Sequence, residues 1–181
     1  MGSNPITRSS SLDVENVFIS EGSNQVKITD FLLEKAISVN LSATDKEGVI
    51  RELVQLLGKA GAIKPQDEGK IAPVLLAREA LGSTGIGQGV GIPHGKTNVV
   101  RQLIGAFGIS KRGVDFDSLD GDVVHIFFLL IAPEDSAGPH LKALARISRL
   151  LKDRYFRDSL KEAKDEKQVL RIIQQEDQKN I

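Results

Sequence analysis

The sequence predicts an α/β fold, a sheet covered by helices in a single compact domain. Three observations predict it. Residues 123–132 form an almost wholly apolar run, the pattern of a strand buried on both faces. Stretches with apolar residues at helical spacing lie both before and after that run, so strands and helices intersperse along the chain. The length of 181 residues, with 40% hydrophobic and 27% charged residues, suits one soluble globular domain.

Residues 1–11 are mostly polar and serine-rich, and no periodic signal is visible before about residue 25. Residues 1–27 therefore read as a disordered leader or a remnant of cloning, and 28–181 as the domain. Residues 30–36 look like a short helix, and 37–41 alternate apolar and polar as a strand does. A longer helix follows, with Thr44 and Glu47 as its capping box. Val49, Ile50, Leu53, Leu56, Leu57 and Ala60 form its apolar face, and Gly61 ends it.

A second helix is expected over 66–81, with Pro73 either kinking it or marking its true start. Gly82 stops it. A short strand around 89–92, a strand at 103–110 and a polar turn region at 111–122 lead into the apolar strand 123–132. After a loop at 133–138, a helix is expected from Pro139 to about Lys152, buried through Leu141, Leu144, Ala145, Ile147, Leu150 and Leu151. Two amphipathic helices close the chain at 155–163 and 165–175, the second capped by Asp165 with Gln168 three residues on. There is no internal repeat.

Several function classes have no support. The 24 basic residues balance the 24 acidic ones, so nothing points to nucleic acid or an anionic membrane. The chain has no cysteine, which removes disulfides, thiolate zinc sites and cysteine nucleophiles. No secretory signal is visible, and the apolar run is too short to span a bilayer, so a soluble protein is expected. The three histidines, His94, His125 and His140, show no metal-ligand spacing. His125 sits inside the apolar strand and reads as structural. No G-x-S-x-G element is present.

Residues 78–97 are the distinctive stretch. Five of the 17 glycines fall between Gly82 and Gly91, and a sixth, Gly95, follows a histidine. Such density suggests a shaped loop that lets backbone approach a ligand. Pro93 and Gly95 flank His94, which would present an imidazole without crowding it, although an incidental loop histidine fits the same local pattern. Nucleotide motifs fail here. Starting from Gly85, Gly87 or Gly89, the last position of G-x-G-x-x-G falls on Val90, Ile92 or His94. A P-loop ending in Gly95-Lys96-Thr97 would need glycine where Val90 stands.

Two further residues are candidates. His140 lies at the second position of its predicted helix, where the helix dipole favours an anion and opposes protonation of the ring. A solvent-facing residue at a helix start is the plainer alternative. Arg78 lies on the last turn before the loop, where it either serves a ligand or complements the helix C-terminus.

Residues 78–95, Arg-Glu-x-Leu-Gly-Ser-Thr-Gly-Ile-Gly-x-Gly-Val-x-Ile-Pro-His-Gly, closely resemble the active-site signature of type 2 enzyme IIA domains. These belong to the mannitol/fructose class of the phosphoenolpyruvate-dependent sugar phosphotransferase system and its nitrogen-regulatory branch. Pro133-Glu134 and the block from His140 to Ala145 resemble the family's later segment, and the resemblance covers roughly 28–176. Ala80 and Gly91 are minor departures that spare the reactive residues.

The resemblance implies a mixed sheet between helices, with helices on both faces. It makes His94 the phosphorylated histidine, Arg78 the active-site arginine and His140 the second active-site histidine. It implies a cytoplasmic phosphotransferase with no cofactor, metal or nucleic acid. The phosphoryl group would arrive from the histidine phosphocarrier protein and leave to an enzyme IIB protein, with membrane contact only indirectly through a permease. A regulatory protein whose phosphorylation state controls binding to targets is the alternative. The Gly-Ser-Thr-Gly-Ile-Gly-x-Gly run lies slightly closer to that branch.

Overall fold

The computed structural model describes residues 25–179; the leader expectation falls almost wholly outside them. Strand β6 (Val124–Pro133) is the centre of a mixed sheet, and its sequence explains why. Its side chains alternate between two apolar layers. Phe127, Leu129 and Ile131 enter one core, and Ile126, Phe128 and Leu130 the other. Each buried residue of this size contributes about 1.5–3 kcal/mol relative to exposure, so the run is stable only between two helical layers.

Strand β1 (Leu32–Ser38) pairs in parallel with β5 (Ile104–Val114), which pairs antiparallel with β6. On the far side of β6 the chain lays down two short strands end to end. β3 (Val90–Gly91) pairs with Ile126 and Phe127, and β4 (His94–Thr97) pairs with residues 130–133, both in parallel. β2 (Gly85–Gly87) runs antiparallel to β3 at the edge.

Helices α1 (Lys46–Lys59) and α2 (Glu68–Leu81) cover one face. Helices α3 (Ala137–Leu150), α4 (Arg154–Glu162) and α5 (Glu166–Lys179) cover the other. The α/β class with helices on both faces is as the sequence predicts. No described helix is long and apolar enough to cross a membrane.

Five local expectations are corrected. The buried face of α3 is turned from the one expected, with Leu141 65% exposed and Ala145 exposed while His140, Ala143, Ile147 and Leu150 are buried. Residues 30–36 are not a helix: a 3-10 turn (Ile28–Asp30) leads into β1, which takes residues 32–36 of that segment and ends at Ser38, two residues into the expected strand 37–41. Phe31, Leu32 and Ile37 gain more by burial beside Phe107 and Phe128 than from local helix propensity, and an irregularity between Leu32 and Ile37 masks the two-residue period. The cap of α1 is Asp45, whose carboxylate accepts from the Gly48 N–H at 2.7 Å, in place of Thr44. Strand β5 extends to Val114, four residues into the expected turn region. Helix α3 begins at Ala137, so Pro139 is the third helical residue and His140 the fourth, still within the first turn, where proline is tolerated.

Pro73 lies inside α2 and does not mark its start, which is at Glu68 after a 3-10 turn (Pro65–Asp67).

Candidate active site

His94 is the first residue of β4, and its position follows from the break in strand pairing. Gly89 O accepts from the N–H groups of His125 and Ile126, and Pro93 O accepts from the Leu130 N–H, so the Ile92-Pro93 link is fixed against β6 at both ends. The turn leading there needs left-handed backbone at Gly87, Gln88 and Gly89 (φ 95°, 58° and 75°), which two of these three positions meet with glycine. The Asp120 carboxylate holds the Gln88 N–H at 2.9 Å and stabilises this unusual turn. That bond, with a second from the Asp122 N–H at 3.1 Å, keeps the Asp120 carboxyl below its usual range.

The His94 ring is half-buried, with Nδ1 2.8 Å from the Ile92 carbonyl oxygen. A carbonyl only accepts, so Nδ1 carries the proton and Nε2 keeps a free lone pair. Burial pushes the His94 pKa down, the Ile92 hydrogen bond opposes it, the Arg78 charge adds to the depression and the Glu79 charge opposes it. The net effect favours a neutral imidazole at neutral pH.

The fold brings His140 to the same place from the opposite layer. Its ring centroid lies 5.6 Å from that of His94, with the planes tilted by 51°. His140 is buried, with 4% of its surface exposed. Burial, then the His94 charge, then the Lys96 charge lower its pKa to about 4. Its Nδ1 is buried without a hydrogen-bond partner. An orphaned lone pair costs less there than an orphaned N–H, so the Nε2–H tautomer is favoured and leaves one donor for the site.

Arg78 sits on the last turn of α2, half-buried, and its Nη1 donates to the Gly82 carbonyl at 2.8 Å. The sequence thus named three residues that α2, β4 and α3 assemble around one point. His125 is not among them: its Nδ1 bonds the Ser110 carbonyl of β5 at 2.8 Å.

Two neighbours escaped the sequence reading. Lys96 lies two residues after His94 on the same strand, hence on the same face, and its charge reaches His140. Glu79 is buried and bonded to Thr84 and Lys46. A signal for Glu79 was present, because Ile71, Ala72, Leu75 and Glu79 form one buried stripe on α2 and its last member is an acid. An open depression of about 470 Å³ lies at the ends of β4 and β6, lined by Asn98, Arg101, Glu134 and Asp135, and none of the three assembled residues lines it.

Comparison with known proteins finds relatives along most of the chain. The family model described as phosphoenolpyruvate-dependent sugar phosphotransferase system, EIIA 2, matches residues 30–176. The chain is 43% identical over 152 residues to the fructose-specific EIIABC component of Bacillus subtilis, spanning 84% of this chain but only 24% of that protein. It is 40% identical over 146 residues to the nitrogen regulatory protein of Bradyrhizobium diazoefficiens, spanning 81% of this chain and 94% of that one. The crystal structure of nitrogen regulatory protein IIA-Ntr from Neisseria meningitidis superposes with a TM-score of 0.74 at 33% identity, covering 81% of this chain and 98% of that one. The match over most of the chain, together with the assembled loop, histidine pair and arginine, identifies the family: this chain belongs to the type 2 EIIA domains of the phosphoenolpyruvate-dependent sugar phosphotransferase system.

Proposed function

We propose that this chain is a phosphoryl carrier with His94 as its phosphorylated residue, occupying a domain at residues 28–181. The observation that carries the reading is the Nδ1 contact to the Ile92 carbonyl beside a second, neutral histidine. With Nδ1 protonated, Nε2 is the nucleophile. It attacks the phosphorus of a phosphohistidine on the histidine phosphocarrier protein. The new Nε2–P bond forms as the donor's N–P bond breaks, and the electron pair returns to the donor ring. No proton leaves His94.

Phosphoryl transfer depends on placement and charge stabilisation more than on covalent assistance. Arg78 supplies a planar fork for the phosphoryl oxygens. His140 Nε2–H supplies a neutral donor that does not compete with the ring for charge. The onward acceptor is an enzyme IIB protein. A complex of mannitol enzyme IIA with phosphorylated IIB from Escherichia coli has the same fold, with a TM-score of 0.66.

A second reading has its own support. The nitrogen regulatory relative is 40% identical over 146 residues, and the nitrogen regulatory protein IIA-Ntr superposes with a TM-score of 0.74, against 0.66 for the mannitol IIA complex. On that reading the same phosphohistidine controls binding to a target protein, and no sugar is transported.

The test is intact-mass spectrometry after incubation with phosphoenolpyruvate, enzyme I and the phosphocarrier, on wild type and His94→Ala. An acid-labile gain of one phosphoryl group in wild type alone supports the carrier reading, and no gain in wild type rejects it. Adding an enzyme IIB protein then separates the branches: loss of the label to IIB favours transport, and retention favours regulation.

A further inference from the structure

Glu79 carries an inference beyond the three assembled residues, and it rests on the carrier reading above. Its side chain is 4% exposed, and a glutamate is rarely buried so deeply unless it is paired. Three donors meet it. The Thr84 N–H lies 3.2 Å from Oε2, the Thr84 hydroxyl donates to Oε1, and Lys46 Nζ lies 2.8 Å from Oε2. Lys46 is itself fixed, with its ammonium 4.8 Å from the Phe116 ring centroid and 3.5 Å from Asp117. A buried ion pair is a poor source of net stability, because desolvation offsets much of its attraction.

What this pair does is close a turn. Arg78 grips the Gly82 carbonyl and Glu79 grips Thr84, so adjacent residues of α2 clamp both ends of the entry to the glycine-rich loop. The loop and the Arg78 guanidinium are thereby tied to one another. We propose that Glu79 is a positioning residue of this site: seated on Lys46, it pins Thr84 to fix the loop and Arg78, and it holds a negative charge near the His94 ring.

That charge has a use in the transfer step. Once Nε2 bonds to phosphorus and Nδ1 keeps its proton, the His94 ring becomes cationic. Arg78 stabilises the phosphoryl oxygens but opposes charge on the ring, and Lys96, whose charge reaches His140, does not help it. Glu79 is the anion that favours the ring in this form.

The test compares wild type, Glu79→Gln and Thr84→Val in the full chain. One readout is the His94 titration midpoint by NMR in the unphosphorylated protein. The other is the single-turnover rate of phosphoryl acceptance from the phosphorylated phosphocarrier. E79Q should lower the midpoint, and should slow acceptance on the order of 10²-fold through misplacement of the loop and Arg78. T84V keeps the charge but loses a hydroxyl bond to a carboxylate, so it should slow acceptance about tenfold with the midpoint unmoved.

A merely structural role would not move the midpoint in one variant and spare it in the other. An unmoved midpoint in E79Q, or a wild-type rate in either variant, overturns the proposal. If E79Q does not fold, the T84V rate decides. A wild type that accepts no phosphoryl group condemns the carrier reading instead, while the midpoints, which need no transfer, still decide on Glu79.

Discussion

Acid should destabilise this protein through His140, and the size of the effect follows from the site. The ring titrates near its ordinary value of 6.5 in the unfolded chain and at about 4 in the native state, chiefly because it is buried. Between these values the unfolded state binds more protons. Stability therefore rises with pH across the window and is lost as pH falls from about 6.5 to 4. With 1.36 kcal/mol per unit, integration gives a loss of about 2 kcal/mol by pH 5 and about 3 kcal/mol by pH 4.

The assay is urea unfolding of wild type and His140→Gln at pH 7 and pH 5. Carboxylates titrating in that range are common to both proteins and cancel in the comparison. Wild type should lose about 2 kcal/mol more than the variant between the two pH values, or roughly 1 M in urea midpoint for a slope near 2 kcal/mol/M. Parallel pH dependence in the two proteins would refute the reasoning, since it would mean that His140 is not held neutral by the fold.

Other perturbations reach separate parts of the account. Arg146→Met removes the guanidinium that lies 2.6 Å from Asp177, which is 3% exposed and would keep the Ile28 N–H at 2.7 Å. The expected cost is about 3–5 kcal/mol by chemical denaturation, with a loss under 1 kcal/mol counting against it. Asp45→Ala removes the α1 cap and should cost about 1 kcal/mol, a fall of about 2–4 °C in thermal midpoint for a domain of this size. Arg78→Lys keeps the charge but loses the fork. Phosphoryl acceptance should drop by about 10²-fold or more while the unfolding free energy from urea titration stays within about 0.5 kcal/mol of wild type; equal rates would remove Arg78 from the mechanism.

The candidate site was legible because it is concentrated. The loop from Gly82 to Gly95 carries its own shape in its glycines, with Arg78 on the helix turn that leads into it and His94 at its far end. His140 was legible as a helix-start histidine, but its contact with His94 was not, since β6 and α3 carry it there across the sheet.

What stayed hidden depends on long-range partners. Lys46 reads as an ordinary first-turn residue of α1 until Glu79 appears beside it. β2 and β4 were unreadable as strands because glycine, histidine and lysine have no strand preference; pairing with β3 and β6 makes them strands. β1 was misread because exposed Leu33, Glu34 and Lys35 interrupt its alternation at the irregularity.

The most direct test of the central claim is imidazole nitrogen NMR of the phosphorylated protein, labelled at histidine. The account predicts a phosphorus coupling at His94 Nε2, with Nδ1 still protonated against the Ile92 carbonyl. Phosphorus on Nδ1, on His140, or on no histidine at all would contradict it.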